Sequence, residues 1–528
     1  MIDRRMLLGA AAATPLLWGR AFADTPRDAI VMAKRIDDII SLDPQEAFEY
    51  SGNEISGNVY EKLVTPGEAD PTRIEPMLAE SWSASPDGRT WTFRMRGDRT
   101  FASGAQVTAE DAAFSLQRAV ILNKAPGFII AQFGFNKDNV AERIRAADAR
   151  TLVIDIAERQ APTFLLYCLS AAVGGVVEKK VVLSHAEGAD LGNAWLKANS
   201  AGSGPWVLRS ARASELVMLD ANPSHPLAGK LKRIIIRHVA DPSVQFLLLQ
   251  RGDADVARDL LPEQLAAARA SPDFTVVSKP KASVMYISMN VKTPALAKPE
   301  VREAIRWAID YQGIAANLVK DTFTVHQAFL PGGFPAAVTA TPFRFDPERA
   351  RGLLAAAGYA DGLELTLDHA SSSPRAEIAQ ALQAQFRQVG IKLTLSAGEG
   401  RQVLTRIRAR QHQLGILMWG ADYFDPHSNA QTFCENDDNS DTSLNRTTAW
   451  QTSWADAELT ARTRAAVREE DAGKRVAMYE AMQRDLMARG PFAIMLQEVG
   501  TVVMRKPAEG LAQGPISDRT AYIKVSKG

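Results

Sequence analysis

An α/β fold of two or three interwoven domains is what three features of this sequence predict. Segments with strand-like alternation and segments with helical periodicity follow one another along the whole chain, the pattern of mixed α/β proteins. The chain has 528 residues, beyond the size at which a single hydrophobic core keeps growing. No Gly/Ser linker, low-complexity block or internal repeat divides it, so the domains are expected to be joined by short crossings. Hydrophobic residues at 46% and charged residues at 23% exclude a disordered or polytopic membrane protein.

The first element is an address. Arg4 and Arg5 precede an apolar run from Met6 to Trp18, too short to span a bilayer, and Ala21-Phe22-Ala23 is a signal-peptidase pattern. Export with cleavage after Ala23 is expected, by a twin-arginine route or by an ordinary secretory route with two basic residues. Three Arg and one Asp leave with the segment, so the remainder stays close to neutral. Such a balance offers no basic excess for nucleic acid. The only two cysteines, Cys168 and Cys434, are expected to be free, buried thiols.

Thr90–Arg96 alternates strictly, with Trp91, Phe93 and Met95 on one side; the turn Pro86-Asp87-Gly88 and Trp82 before it predict a β-hairpin. Thr108 to Asp111 forms a capping box that opens a helix through Leu116. Phe164–Val177 reads as a buried helix or strand pair. Pro299 starts a helix whose apolar face is Val301, Ala304, Ile305, Ala308 and Ile309, with Arg302, Glu303 and Arg306 expected outside. Asp346-Pro347 opens another, closed by Gly358. Ile378, Leu382, Phe386 and Val389 define a third, ended by Gly390, and Ile391–Leu395 then alternates as a strand. The apolar run Leu414–Trp419 fits a central parallel strand. Val476, Tyr479, Met482 and Leu486 mark a late amphipathic helix.

Chemistry is mostly excluded. No histidine pair has metal-ligand spacing, and there is no Gly-x-Ser-x-Gly elbow and no phosphate-binding loop. Catalytic residues, metal and cofactors are all expected to be absent. In Glu435–Asp441 the residues Asp437, Asn439 and Asp441 alternate as in a calcium loop, but Thr442 and Thr448 stand where Gly and Glu belong, so a solvated loop is expected. The segment Trp419-Gly420-Ala421-Asp422-Tyr423-Phe424-Asp425-Pro426 stands out. It follows the apolar strand, where open α/β sheets gather ligands. A carboxylate between aromatics favours an ammonium partner, so Asp422 is either a ligand group or the cap of a turn; Asp425 reads as a helix cap.

The motifs resemble a known family. Asn58–Val64 is similar to its "VYEGLV" element. Pro76–Trp82 followed by Asp87–Phe93 is similar to its "P-LAESW…DG-T-TF-LR" signature, Gly202–Trp206 to "GTGPY", and Val301–Ala304 with Ala308–Asp310 to "VRQALAYAID". Asp346–Ala350 with Ala357-Gly358-Tyr359, and Trp419–Pro426 as "W-ADY-DP", continue the match over nearly the whole chain. The sequence thus resembles the extracytoplasmic solute-binding proteins of peptide/nickel-type ABC importers, cluster C. The resemblance implies a two-lobed clamshell with an extra α/β domain: lobe I at 24–57, 178–281 and 491–528, the extra domain at 58–177 and lobe II at 282–490. Lys279-Pro280-Lys281 and Arg489-Gly490-Pro491 would be the hinge crossings. It implies a periplasmic, monomeric, non-enzymatic protein that binds a peptide or similar amine-bearing solute and hands it to membrane permease subunits. Asp422 would hold the ligand ammonium, with Trp419 and Tyr423 on the wall and Arg375 receiving the carboxylate. Gly420 stands where some oligopeptide binders have a Cys, and the nickel-site histidines are not recognisable. A non-peptide solute (an opine, sugar or metal chelate) and a secreted peptide hydrolase are the competing readings.

Overall fold

The structure, a computed structural model, describes residues 25–68, 70–227, 231–443 and 446–528. The export segment 1–23 lies outside the described residues. In chain order, β1 (Ala29–Lys34) leads into α1 (Tyr50–Val59). A second body follows with β2 (Ala79–Ala84), β3 (Thr90–Met95), α2 (Ala109–Leu122), β4 (Ile144–Asp148), β5 (Thr151–Asp155) and α3 (Pro162–Leu169). The chain then returns beside β1 with β6 (Trp206–Arg212), β7 (Leu216–Ala221), β8 (Arg233–His238) and β9 (Val256–Ala257). After the long strand β10 (Phe274–Met289) come α4 (Pro299–Trp307), β11 (Phe323–Val325), α5 (Pro347–Ala356), β12 (Leu363–Ala370), α6 (Arg375–Gln388), β13 (Ile391–Gly398), β14 (Leu414–Gly420), α7 (Pro426–Cys434) and α8 (Ala472–Arg489). A second long strand, β15 (Phe492–Arg505), closes the topology.

One sheet of eleven strands runs through both halves in the order β13-β12-β14-β10-β15-β9-β1-β8-β7-β6, with β11 on β15. β10 and β15 are its bridge. They pair antiparallel from Phe274↔Arg505 to Ser288↔Phe492, and the register breaks between Pro280 and Val284. Proline has no amide to give the ladder there. Opposite the break stand Val499 and Gln497, whereas Arg489-Gly490-Pro491 only joins α8 to β15. The second body has its own four-stranded sheet, β2-β3-β5-β4.

The predicted hairpin is β2–β3, with Trp82 opposite Phe93 and Trp91, Phe93 and Met95 buried. The capping box is present: the Asp111 amide donates to Thr108 Oγ1 and the Asp111 carboxylate accepts from the Thr108 amide. The helix runs six residues beyond Leu116, to Leu122. Phe164–Leu169 belongs to α3, and both cysteines are free and buried.

Two expectations are corrected. Arg302 and Arg306 are not outside; they are 5% and 2% exposed. Their guanidinium groups donate to carbonyls that α8 leaves unpaired at its end, Arg489 O at 3.0 Å for Arg302 and Ala488 O at 2.7 Å and Gly490 O at 2.9 Å for Arg306. Those carbonyls need donors in a buried setting, and a cation there also suits the negative end of the helix. β14 is not a parallel strand throughout. It pairs parallel with β12 only at Leu414 and Gly415, and antiparallel with β10 along its whole length.

The hydrophobic interior falls into separate clusters. One lies around β1, β7 and β8, one under β12 to β14 with α4 and α6, and one inside the second body around Phe93, Leu152 and Phe164. The last also takes in Tyr423 and Val467 from far along the chain.

Candidate ligand cleft

The site is built on β14. Beyond Gly415 its β12 side has no strand partner among the described residues, while its other side stays paired to β10 as far as Ser283↔Gly420. The backbone from Ile416 to Gly420 therefore presents a free edge. Side chains alternate along a strand, so Met418 and Gly420 share one face. The strand ends at Gly420; the Ala421 amide still donates to Ala282 O at 2.9 Å, and the chain bends from Asp422 to Asp425.

Asp422 is half-buried. Its backbone amide donates to Ser428 Oγ at 2.9 Å, and its carboxylate has neither an ion pair nor a hydrogen bond among the described residues. Burial without a compensating cation pushes its pKa up to about 7. Asp422 therefore caps nothing. The cap is Asp425, which accepts from the His427 amide at 2.9 Å at the start of α7. Asp425 is fully buried and receives both ends of the Arg475 guanidinium, at 2.9 and 2.7 Å. The Asp425 carboxylate in turn holds the arginine above its ordinary pKa against the opposing effect of burial.

The other predicted residues lie as follows. Arg375 is the first residue of α6, half-buried, with Nε buried and without a hydrogen-bond partner. It forms no ion pair among the described residues. Burial lowers its pKa, opposed by the phenol of Tyr50 and the carboxylate of Glu498. Trp419 lies on the opposite face of β14 from Gly420. Its indole donates to Asn429 Oδ1 at 3.3 Å and meets the Phe433 ring edge-on at 6.1 Å. Tyr423 is buried in the core of the second body, its ring 5.9 Å from Phe164 and its hydroxyl without a partner.

The other wall comes from the first half of the chain. A cavity of about 370 Å³ lies between the halves, lined by Tyr50, Glu54, Arg258, Lys281, Met418 and Glu498 among others. Tyr50 is the first residue of α1 and is 49% exposed. Lys281 Nζ sits 5.1 Å from the centre of its ring and 3.3 Å from Glu498. Deeper in, Glu54 is clamped by Lys34 at 2.7 Å and Arg258 at 2.8 Å and accepts from the Tyr522 hydroxyl at 2.6 Å, which holds its carboxyl below the ordinary range. Nothing in the local sequence around Tyr50 signals this role, because its partners are more than 200 residues away.

The acidic run at 435–441 is neutralised by the protein itself. Arg464 pairs with Glu435 at 2.7 Å and Asp437 at 2.6 Å, and Arg410 reaches Asp441 at 3.1 Å and Asn439 Oδ1 at 2.8 Å. Among the described residues no group of three or more His, Cys, Asp or Glu could hold a metal ion, and no helix is long and apolar enough to cross a membrane.

Comparison with known proteins places this geometry. Residues 73–441 match the family model for bacterial extracellular solute-binding proteins, family 5 middle. The probable D,D-dipeptide-binding periplasmic protein DdpA of Escherichia coli K12 is 26% identical over 511 residues, covering 96% of this chain and 95% of the relative. The periplasmic binding protein DppA of Helicobacter pylori, solved with the peptide STSA, superposes with a TM-score of 0.79 at 21% identity, over 94% of this chain and 98% of that one. MoaA of A. tumefaciens R10, solved with mannopinic acid, gives a TM-score of 0.78 at 22% identity, over 95% and 100%.

Proposed function

We propose, from the premise that this chain belongs to the bacterial extracellular solute-binding proteins of family 5 and is the solute-binding component of an ABC importer, that its ligand is a short peptide or a similar amine-bearing solute. The family is one of non-catalytic binding proteins, so capture and delivery are the whole activity. One observation supports the reading: the Asp422 carboxylate and the Arg375 guanidinium are both half-buried, and neither has an ionic partner among the described residues. Buried charges are normally paired, so this arrangement calls for a ligand with an ammonium and a carboxylate. The free edge of β14 supports a peptide main chain laid between them, in the manner of an added strand.

We propose lobe I at 24–57, 178–281 and 501–528, the extra domain at 58–177 and lobe II at 282–496; the late boundary moves from 490 because Ala493, Met495 and Leu496 pack in the cluster under β12 to β14. We place the second crossing at Gln497–Gly500, because these residues face the register break at Pro280. Closure of the lobes would bury the ligand and be stabilised by its tighter hold on the closed state. Cleavage after Ala23 would leave Thr25 near the new end, where Lys527 Nζ donates to its carbonyl at 2.9 Å. The ligated monomer would then dock on the permease subunits in the membrane.

Mass spectrometry of solute released from gently purified protein tests the reading directly. A peptide or other amine is expected; a ligand without an amine would overturn it. A second reading rests on Asp422 itself. With a pKa of about 7, its protonated form can donate a hydrogen bond, which suits a polyol or opine. The pH profile separates the two. An ammonium pairs with the ionised carboxylate, so affinity is expected to fall as pH drops below about 7, approaching tenfold per unit. Above about 8 a peptide amine loses its own proton and affinity falls again. Calorimetry should therefore show a maximum between the two, and Asp422→Asn should lose the acid limb. Affinity that rises on acidification favours the hydroxyl-bearing ligand.

A further inference from the structure

We infer that the extra domain is the clasp of the cleft: it is anchored on lobe I and grips lobe II through a seam that parts each time the lobes separate. This rests on the division into lobes proposed above.

The seam is an exchange of aromatic rings. Tyr423, from the bend that also carries Asp422, is buried in the core of the extra domain, its ring 5.9 Å from Phe164. Tyr167, one turn after Phe164 on α3, goes the other way. It is buried in a cluster of lobe II, its ring 6.2 Å from Phe424. Phe164 also meets the His427 ring of α7 edge-on at 5.1 Å. Phe164, Tyr167, Tyr423 and Phe424 are each exposed by 3% or less. Beside the rings the Ala161 amide donates to Val467 O at 2.9 Å. At the rim two ion pairs cross in opposite senses, Arg159 with Glu470 and Arg468 with Glu158.

The contact with lobe I is of another kind. In the proposed division the chain passes between lobe I and the extra domain twice, and never directly between the extra domain and lobe II. Arg118 of α2 reaches Asp43 of lobe I at 2.5 Å, with both side chains fully buried. Gln45 Oε1 accepts from the same guanidinium at 2.7 Å, and Asn193 donates to the same carboxylate at 2.6 Å. Pulling this network apart would cost its charge pairing and its hydrogen bonds together. The seam with lobe II has packed rings, whose attraction is not directional, and half-exposed ion pairs, which water replaces readily. It is the contact that yields, and the extra domain stays with lobe I.

Ligand and seam hold the same two bodies together, and the bend Asp422 to Asp425 belongs to both. Weakening the seam lowers the closed fraction, and apparent affinity falls with it.

Reversing charge at the rim tests this. Arg159→Glu with Arg468→Glu leaves only carboxylates there, so no pair can re-form. The tripeptide Ala-Ala-Ala, titrated calorimetrically, should bind this double variant roughly three- to tenfold more weakly than wild type. The loss should shrink in about 1 M salt. Adding Glu158→Arg and Glu470→Arg rebuilds both pairs and should restore affinity. Melting curves of the unliganded double variant should match wild type, because the seam is already parted in the open protein. A permanent joint gives the opposite pattern, a lower melting temperature with unchanged affinity, and that result overturns the inference. A second arm needs no ligand. Arg159→Cys with Glu470→Cys, joined by a short bismaleimide, locks the seam, while the native Cys168 and Cys434 are buried away from the reagent. Small-angle scattering of the unliganded protein should give a larger radius of gyration before joining than after. Equal radii overturn the inference. Failure of wild type to bind Ala-Ala-Ala removes the peptide reading, and the scattering arm still decides the clasp.

Discussion

Asp422→Asn is expected to weaken an amine-bearing ligand by about thirty-fold to several thousand-fold, on the scale of the roughly 2–5 kcal/mol lost when one member of a buried charge pair is removed. The substitution keeps shape and removes charge, so the ligand ammonium would be buried without a counter-ion. Stability of the unliganded protein should move the other way. Asp422 has a folded-state pKa raised above its unfolded value, so the folded protein binds its proton more tightly. That contribution is fully present below the unfolded pKa near 4 and is lost as pH rises through about 7. At pH 8 wild type therefore carries an unfavourable ionised carboxylate that the Asn variant lacks, and the variant should melt no lower. Titration of one ligand beside melting curves at pH 8 checks both halves. Unchanged affinity would remove Asp422 from the site.

Arg475→Met is expected to give the opposite pattern, a large loss of stability. The arginine holds a fully buried Asp425 through two hydrogen bonds, and it also donates to the Ala466 carbonyl at 3.1 Å. Removing it strands a carboxylate in a dry core, at a cost of about 3–5 kcal/mol. Because Asp425 also caps α7 and follows Asp422 by three residues, the loop that carries the candidate site should loosen as well. Urea unfolding of unliganded wild type and variant reads the loss. Asp425→Asn combined with Arg475→Met removes both charges and should recover part of it; no recovery would show that packing, not the stranded charge, sets the cost.

Much of this architecture is legible in the sequence where one residue's surroundings are local. Trp91, Phe93 and Met95 alternate and are buried; Thr108 and Asp111 cap their own helix; Gly358 and Gly390 end theirs with φ of 86° and 87°. What local pattern does not reveal depends on distant partners. Arg302 and Arg306 carry the spacing of an exposed face, and only the arrival of α8's end makes that face an interior one. The run Leu414–Trp419 has the same apolar look whether its neighbours are parallel or antiparallel. The candidate site divides in the same way. Asp422 announces itself as a carboxylate among aromatics after a buried strand, and the family resemblance points to Arg375. Tyr50 could not be found, because it acquires meaning only when α1 is brought against Lys281 and Glu498, more than 200 positions later in the chain.

The placement of β15 has a consequence for biosynthesis. It is the last long strand made, yet it stands in the middle of the sheet, between β9 and β10, and carries β11 as well. Until residues 492–505 leave the ribosome, β10 keeps an unpaired edge along its full length, and β9 has only β1 beside it. Neither half can finish folding on its own schedule, since both wait for the same late segment. Contacts this distant in sequence form slowly, and open edges invite association with other chains. Loss of the final forty residues would therefore not trim the molecule but leave its sheet in two pieces.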